Sequence, residues 1–567
     1  MIEVGRVVTV YGRSLIRFAA FEDKIHLLLK PGAYVKVECG GSWAYAMIVS
    51  FNLLDELYRR GRIVEELEGY AELRPARNEL IAMLVGLEDG GTIRRGVPEL
   101  PKPGQKVYAA ETWDLAKVTA QGDLEVGRLS CDPNVHYTLS LNMLCSRHFA
   151  VLAMTGAGKS NAVAVILASI LDKYPYSRVI VVDTHNEYVP LASRYPSVRV
   201  ASPAGRTARL VEARYGVKPL PLEVPLWTLG LEEVAGLLRL DPSKATKQLM
   251  YLRNAMQEAR RARYPLASAD DPIYLEVGEL RQLLERQAKT SRYTDRSLDD
   301  LLLKIDMLID NADLRYVTRP VESKRIYEEV EGEEPRKSVE AYTRIYGRLL
   351  EPGLTVVALG GLPSDAQAST AATILKSVWR LITASVLAGN PLPTLVIVEE
   401  AHNYAPQGRW SPARDILERI AKEGRKFGIG LGVVSQRPRE LSQTLLAQCG
   451  TLIALRTANP RDQEYILSSM EDVVGEMVEG LSGLATGEAL ISGSAALIPA
   501  VIRFYDFQSR YGVTLGGKDL DWSAEWSRPP KPIDLAPYLV GEEREEVEAG
   551  EEGEAGVEKS RLLEEFF

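Results

Sequence analysis

Apolar residues are spaced differently along different parts of the chain. In residues 1–125, short stretches such as Arg6–Val10, Ala33–Val37 and Trp43–Val49 alternate in pattern, and Gly and Pro clusters separate them. Alternation with a period of two predicts strands with one buried face. Several short strands at this spacing predict a small all-β barrel domain over residues 1–125.

From residue 126 the apolar runs become nearly continuous and alternate with helical patterns. Such runs predict buried strands at Arg178–Asp183, Leu354–Leu359, Leu395–Val398, Ile429–Val434 and Thr451–Leu455. Continuous apolar strands are typical of a parallel sheet covered on both faces. Helices are predicted at Asp365–Leu387 and Pro412–Phe427, the second with Ser411 as its N-cap and Pro412 in its first turn. The pattern predicts an α/β core formed by residues 126–229 and 349–502.

Three further segments differ from this core. Residues 230–348 are polar and rich in helix formers, which predicts a helical insertion; residues 503–540 read as an extended C-terminal arm. Residues 541–567 form a Glu- and Gly-rich tail that we predict to be disordered. The insertion carries a basic patch, interpreted as a solvated helix face in preference to a DNA contact. The patch comprises Lys244, Lys247, Arg253, Arg260, Arg261 and Arg263.

The sequence also bears on where in the cell the protein is expected. The start of the chain lacks the pattern of a secretion signal, and no apolar run approaches the ~20 residues of a membrane span. Four widely spaced cysteines fit neither a disulfide framework nor a zinc site. We therefore expect a cytoplasmic protein without a membrane partner.

The net charge of −9 is concentrated in the tail. Residues 541–567 hold eleven Glu against three basic residues, so the first 540 residues carry only about −1. The acidic balance therefore does not exclude nucleic acid as a partner, because the local placement of Arg and Lys decides that.

A phosphate-binding P-loop is the clearest chemical motif. Residues 153–160 read AMTGAGKS and match G-x-x-x-x-G-K-[ST] except for Ala153 at the first position. The loop lies between a predicted strand and a predicted helix at Asn161–Leu171, where backbone N–H groups and the helix dipole favour phosphate. Lys159 is expected to reach the β- and γ-phosphates, and Ser160 to ligate Mg²⁺. The predicted nucleotide-binding residues are Thr155, Gly156, Ala157, Gly158, Lys159, Ser160 and Asn161.

Carboxylates at strand ends predict hydrolysis of the bound triphosphate. Glu399 and Glu400 follow the buried strand ending at Val398, which is a Walker B arrangement: Glu399 is assigned to the metal shell and Glu400 as catalytic base. Gln436, also at a strand end, is placed to sense the γ-phosphate. Asp183 is interpreted either as a second metal-shell carboxylate or water positioner, or as a cap of its own loop.

Two arginines and two histidines lie near these motifs. Arg147 and Arg425 can each stabilise the subunit that carries them, or reach the γ-phosphate of a neighbour in a ring, where such residues contribute on the order of 10³–10⁵ in rate. His185 and His402 are unpaired histidines, for which we favour structural roles over metal ligation.

Five ordered motifs carry a family resemblance. They are L-x-x-R-H-x-x-V-x-x-x-T-G-x-G-K-S at 144–160, V-D-x-H-x-E-Y at 182–188, V-E-E-A-H at 398–402, G-R-K-F-G at 424–428 and S-Q-R-P at 435–438. Over about residues 1–540 the chain resembles the archaeal HerA branch of the HerA/FtsK superfamily of ring-shaped DNA motors. The acidic tail lies outside the resemblance.

The resemblance implies a HerA–ATP synthase type barrel and a RecA-like P-loop ATPase core in a homohexameric ring. It further implies ATP- and Mg²⁺-dependent translocation on double-stranded DNA with a NurA-type nuclease and other end-resection proteins in recombinational repair. Arg147 and Arg425 become candidates for trans-acting arginines, and the arm for a brace on a neighbouring subunit. Two alternatives remain: a conjugation- or packaging-type ATPase of the same superfamily, and an ATP-switched clamp that positions the nuclease.

Overall fold

The computed structural model describes residues 1–529, apart from residues 13, 31, 56–75, 90, 120–121, 291–295, 470–474 and 518–520. The predicted acidic tail and the end of the predicted arm lie outside the described residues. Residues Met1–Asp521 form one compact unit, and a second unit begins at Trp522.

The N-terminal part is a closed barrel, as the alternating pattern predicts. Its strands follow the order β2-β1-β7-β3-β4-β5, and a further pairing of β2 with β5 closes the circle, while β6 extends beyond β5. The side chains of Ile16, Phe18, Val35 and Val37 fill the interior and are fully buried. The strands are β1 (Glu3–Tyr11), β2 (Leu15–Ala20), β3 (Tyr34–Cys39), β4 (Ser42–Asp55), β5 (Ala76–Asp89), β6 (Thr92–Arg95) and β7 (Lys106–Ala109).

The remaining strands form one large sheet with the order β13-β12-β14-β11-β15-β16-β10-β17-β18-β19-β8-β9. The first eight strands in this order, which end with β17, pair parallel to one another. The remaining four, β18, β19, β8 and β9, each pair antiparallel with the strand before them. The sheet comprises β8 (Leu124–Leu129), β9 (His136–Leu139), β10 (Phe149–Leu152), β11 (Arg178–Asp183), β12 (Val198–Pro203), β13 (Leu220–Leu222), β14 (Gly353–Ala358), β15 (Thr394–Val398), β16 (Ile429–Ser435), β17 (Thr451–Leu455), β18 (Glu488–Gly493) and β19 (Ala500–Phe504). The α/β fold class, with an N-terminal barrel, is therefore confirmed.

The described residues contain nineteen α-helices, several of which form the insertion between β13 and β14. They are α1 (Thr112–Thr119), α2 (Leu141–Ser146), α3 (Lys159–Lys173), α4 (Arg206–Tyr215), α5 (Leu231–Leu237), α6 (Thr246–Arg261), α7 (Val277–Thr290), α8 (Arg296–Asp310), α9 (Arg315–Thr318), α10 (Glu322–Glu329), α11 (Arg336–Gly347), α12 (Ser364–Leu387), α13 (Ala401–Tyr404), α14 (Arg414–Glu423), α15 (Gln443–Leu446), α16 (Pro460–Ser468), α17 (Gly475–Glu479), α18 (Phe507–Tyr511) and α19 (Trp522–Trp526). Within the described part of the chain, none of these combines the length and the hydropathy that crossing a membrane requires.

The predicted start of helix α14 needs correction. The helix begins at Arg414 with Ala413 as its N-cap, and a turn precedes it. Ser411 therefore lies two residues before the cap, where its hydroxyl accepts the Ala413 amide at 3.4 Å. The serine orders this preceding turn instead of capping the helix.

The join between barrel and core lies inside the large sheet. Strand β8 begins at Leu124 and pairs antiparallel with β19, so the boundaries placed at residues 125 and 502 both fall within strands of the sheet. The barrel contacts the loop before β19: the Arg95 guanidinium donates to the carbonyls of Ala496 at 2.7 Å and Leu497 at 2.9 Å. These contacts attach the barrel to the antiparallel end of the sheet.

The basic patch of the insertion is not uniformly solvated. Arg260 is fully buried, which corrects the interpretation of this residue, whereas Lys247, Arg253 and Arg261 are exposed. On α6, position 260 lies one turn beyond Met256, on the apolar face, and its guanidinium donates to the Leu229 carbonyl at 2.7 Å and to the Trp227 carbonyl at 3.2 Å. Arg260 is thus a structural residue that ties the insertion together.

The second unit is described from Trp522 to residue 529. Its helix α19 brings the two indole rings of Trp522 and Trp526 into an edge-to-face contact, with ring centres 5.2 Å apart. Both side chains are exposed, at 64% and 79%.

Candidate active site

The P-loop connects the buried strand β10 to helix α3. Gly156 and Gly158 adopt φ values of 76° and 99°, which favour glycine. A Cβ on Gly158 would lie 3.2 Å from the amide nitrogen of Gly487, so this turn also needs the small residue. The unusual Ala153 is buried at the strand end, where its amide donates to the Ser435 carbonyl at 3.3 Å. An alanine at this position therefore leaves the loop intact.

Residues from three neighbouring strand ends meet beside this loop. Strand β16 lies between β10 and β15, so the ends that carry Gln436 and Glu400 adjoin the P-loop. The Lys159 ammonium contacts the Glu399 carboxylate and donates to Glu400 Oε1 at 2.6 Å. Gln436 donates from Nε2 to the same oxygen at 2.6 Å and accepts the Thr155 hydroxyl at 2.6 Å. The structure thus brings together five of the residues that the sequence predicts for this site.

Burial and charge shape the acidity of these groups. Burial raises the pKa of Glu399 to about 7, although Lys159 opposes the shift. Burial also acts to raise the pKa of Glu400, but Lys159 outweighs it and the pKa lies below its ordinary value. The pKa of Lys159 is raised, because the two carboxylates outweigh its burial. Two buried carboxylates thus share one ammonium, which leaves acceptor capacity for a further cation.

A third carboxylate, that of Glu187, lies beside the first turn of α3. The sequence analysis assigns Glu187 no role. The Ser160 hydroxyl donates to the carboxylate of Glu187. The signal was the acidic residue of V-D-x-H-x-E-Y, which follows β11 at the same sheet edge. The oxygens of Ser160, Glu187 and Glu399 suit Mg²⁺, which prefers a few protein oxygens together with phosphates and waters. Among the described residues, no cluster of three or more His, Cys, Asp or Glu side chains suits a metal by itself.

Asp183 is placed as the loop-capping alternative describes. It is fully buried, and its two carboxylate oxygens accept the amides of Glu187 at 2.9 Å and Tyr188 at 2.8 Å. Tyr188 in turn donates its hydroxyl to Glu399 Oε2 at 2.9 Å. Burial raises the pKa of Asp183 to about 7. Asp183 therefore acts on the site through the loop that it holds.

The two histidines are placed differently. His185 is exposed, whereas His402 is 6% exposed and its Nδ1 lies 3.2 Å from Glu400 Oε2. Burial lowers the pKa of His402, and Glu400 opposes that shift. His402 thus contacts the proposed base directly.

The side chain of Asn161 is hydrogen-bonded to residues in the C-terminal part of the first unit. Its Nδ2 donates to the Tyr505 carbonyl at 2.8 Å, and its Oδ1 accepts the Phe507 amide at 2.8 Å. With both polar atoms of its amide occupied, Asn161 links α3 to α18. A direct nucleotide contact by this side chain, expected from the P-loop pattern, stays a prediction.

We expect Asn161→Ala to loosen the segment around α18. The variant removes two hydrogen bonds and leaves a backbone amide and a carbonyl without their partner, which costs on the order of 1–3 kcal/mol. Hydrogen exchange at residues 505–511 should rise, while the exposed Asn390→Ala serves as the matched control. Unchanged exchange in both variants would show that the segment is held by its apolar contacts alone.

Arg147 and Arg425 lie at the opposite edge of the sheet from the P-loop. They precede β10 and β16 respectively, and both are exposed. The four residues of β10 span roughly 13 Å between the edges. Within the described residues, neither guanidinium has a hydrogen-bond or ion-pair partner. Both are therefore available to another molecule and are poorly placed to reach the phosphates of their own subunit.

This fold and site define a P-loop ATPase with a RecA-like core. A parallel sheet presents the P-loop, a buried glutamate pair two strands away, and a glutamine at the end of the strand between them. Such a combination of phosphate lysine, candidate base and γ-phosphate sensor is suited to cleaving a nucleoside triphosphate.

Comparisons with known proteins define the family. The family described as "Helicase HerA, central domain" matches residues 124–378. The DNA double-strand break repair helicase HerA of Pyrococcus furiosus is 30% identical over 508 residues, which cover 82% of this chain and 85% of that protein. A probable helicase of Methanocaldococcus jannaschii is 32% identical over 454 residues, with 76% and 79% covered. Among solved structures, VirB4 of Thermoanaerobacter pseudethanolicus gives a TM-score of 0.48 at 16% identity, covering 68% of this chain and 96% of VirB4.

The chain belongs to the HerA helicase family. The resemblance inferred from the five motifs is thereby confirmed. It is an ATP-hydrolysing enzyme of the helicase and translocase class.

Proposed function

We propose that this protein is an ATP-driven motor on double-stranded DNA that works with a NurA-type nuclease to resect DNA ends for double-strand break repair. Its relatives in Pyrococcus furiosus and Sulfolobus acidocaldarius are named DNA double-strand break repair helicases. The observation that carries the proposal is the hydrogen-bonded cluster of Lys159, Glu399, Glu400 and Gln436 at one sheet edge. These groups are the ones that triphosphate cleavage needs, which supports an ATP-driven motor.

Each residue of the cluster has a step in this proposal. Lys159 exchanges its carboxylate partners for the β- and γ-phosphate oxygens of ATP. Glu400, released from the ammonium, accepts the proton of the attacking water as general base. Ser160 and the nearby carboxylates would hold Mg²⁺, which would supply neutralisation of the phosphate charge.

Gln436 links the phosphate end of the site to the base. Its amide bonds Thr155 on the P-loop and Glu400 on the neighbouring strand at the same time. A change at the γ-phosphate position therefore reaches the loop after β16, which starts at Gln436. This connection supports a role for the loop in passing the nucleotide state on to DNA contacts.

A homohexameric ring completes the proposal. Arg147 and Arg425 lie far from their own P-loop and have no partner among the described residues, which supports their use at a neighbour's site. In a ring, successive hydrolysis at the interfaces moves basic loops along the DNA phosphates, in contacts that are largely independent of sequence.

We expect duplex DNA to raise ATP turnover, and the ATP-bound protein to evict a protein roadblock or a third strand from the duplex. Both effects should weaken as salt rises, because phosphate contacts release counterions. A NurA-type nuclease added to the same reaction should degrade duplex ends with ATP and stay inactive with a non-hydrolysable analogue. Brisk turnover without any displacement would contradict a motor and favour the ATP-switched clamp.

A further inference from the structure

His402 shares one nitrogen between two partners beside the proposed base. Its Nδ1 lies 3.2 Å from Glu400 Oε2 and 3.0 Å from the Ser435 hydroxyl oxygen. The three residues are buried, with exposures of 6%, 3% and 0%. Because all three residues are buried, the hydrogen bond of Nδ1 is made with Glu400 or with Ser435 and not with bulk solvent.

The chemistry of a neutral imidazole makes the two contacts exclusive. With a proton on Nδ1, the ring donates to the Glu400 carboxylate, which can only accept. Without that proton, Nδ1 accepts the Ser435 O–H and turns a lone pair towards the carboxylate. The Ser435 oxygen already accepts the Arg437 amide at 3.0 Å, so its own proton is free to be donated.

Glu400 needs such a constraint because its backbone is strained. It adopts φ 49° and ψ 47°, a left-handed conformation that is unfavourable for a non-glycine residue and occurs at functional sites. Its carboxylate is fixed by Lys159, Gln436 and His402. Once Lys159 turns to phosphate, only the last two remain to aim the base.

We propose that His402 is a positioning residue for Glu400, and that its Nδ1 exchanges between Glu400 and Ser435. The loop Ser435–Pro438 then sets whether the base is held in place. This inference deepens the proposed function, because it takes Glu400 as the base.

The same loop reaches the surface through Arg437. Its guanidinium is 64% exposed and pairs with Glu440 at 3.1 Å. A nucleic-acid phosphate that draws Arg437 from Glu440 also pulls the Arg437 amide from the Ser435 oxygen. The freed serine turns its hydroxyl away from His402. Nδ1, which has lost its donor, takes up a proton as Nε2 releases one, so the ring stays neutral and its Nδ1–H donates to Glu400. The arrangement thus gives DNA a short route to the catalytic carboxylate.

A matched pair of His402 variants tests the positioning role. The side-chain amide of His402→Asn replaces the Nδ1 position, whereas that of His402→Gln replaces the Nε2 position. We expect kcat for ATP to fall about threefold or less in the asparagine variant and about tenfold or more in the glutamine variant, with KM unchanged in both. Equal losses in the two variants would overturn the proposal.

Ser435→Ala tests the exchange of Nδ1 between its two partners, and it should raise ATP turnover where the His402 variants lower it. Without its competing hydroxyl, His402 stays committed to Glu400, so turnover without DNA should rise and stimulation by DNA should shrink. A loss of turnover with unchanged stimulation would contradict the exchange, whether or not the His402 variants fold. Glu400→Gln measured in parallel separates the two hypotheses: if it retains turnover, the proposed site fails, whereas if it is inactive, the result for His402 and Ser435 stands on its own.

Discussion

Glu400→Gln should stop ATP turnover while nucleotide binding persists. The amide has the size of the carboxylate but cannot take a proton from water, and general-base catalysis of this kind contributes about 10²–10⁴ in rate. Lys159 and Gln436 still line the pocket, so a fluorescent ATP analogue should bind with nearly unchanged affinity. The measurement is steady-state phosphate release beside equilibrium binding of the analogue.

Two further variants sharpen this result. Glu423→Gln makes the same chemical change at an exposed carboxylate on α14 and should leave turnover intact. Lys159→Ala should lose binding as well as turnover, because it removes the ammonium that meets the phosphates. Undiminished turnover in both Glu400→Gln and Lys159→Ala would exclude this site as the place of hydrolysis.

The sequence predicts the central strands well because strands buried on both faces appear as continuous runs of apolar residues. Arg178–Asp183 and Thr451–Leu455 begin and end as expected, since each contains an uninterrupted run of buried apolar residues covered on both faces. The site follows from the same property: polar residues that end neighbouring parallel strands must lie at one edge. Lys159, Glu400 and Gln436 meet for this reason.

Long-range partners are the part that local patterns do not contain. Asn161 bonds a segment 344 residues away, and nothing around it in the chain indicates that contact. The order in which β16 separates β10 from β15 is likewise fixed by the whole sheet. The contact of Glu187 with Ser160 depends on how the loop after β11 folds over α3, which is set by Asp183 and its two amide bonds.

Arg260 shows a different reason for a missed prediction. A run of basic residues suggests a solvated surface, but Leu252, Met256 and Arg260 recur with helical spacing on one buried face of α6. The carbonyls of Trp227 and Leu229 make burial of the charge tolerable, and these acceptors are distant in sequence. The helical spacing therefore indicates that Arg260 faces the core, but the sequence does not show that carbonyl acceptors lie there.

We expect one of two single variants, Arg147→Ala or Arg425→Ala, to lower ATP turnover about 10³- to 10⁵-fold when every subunit carries it. The variant with this effect is the one that removes the arginine acting at the neighbour's γ-phosphate. The reason is geometric: both side chains lie at the sheet edge opposite their own Lys159, and in the proposed ring a neighbouring subunit would present its P-loop to that edge. The exposed Arg419→Ala is the matched control for loss of a surface guanidinium. Mass measurement should find every variant in the same ring.

Mixed assemblies decide whether the arginine acts across subunits. A Lys159→Ala subunit cannot bind ATP productively but still offers its arginines, and an Arg425→Ala subunit keeps an intact pocket. Mixing the two should restore turnover to a maximum at intermediate proportions, because some intact pockets then adjoin an intact arginine. Mixtures of Lys159→Ala with Glu400→Gln, in which every pocket is defective, should restore nothing. If neither Arg147→Ala nor Arg425→Ala is complemented, hydrolysis is completed within one subunit and the ring motor loses its physical basis.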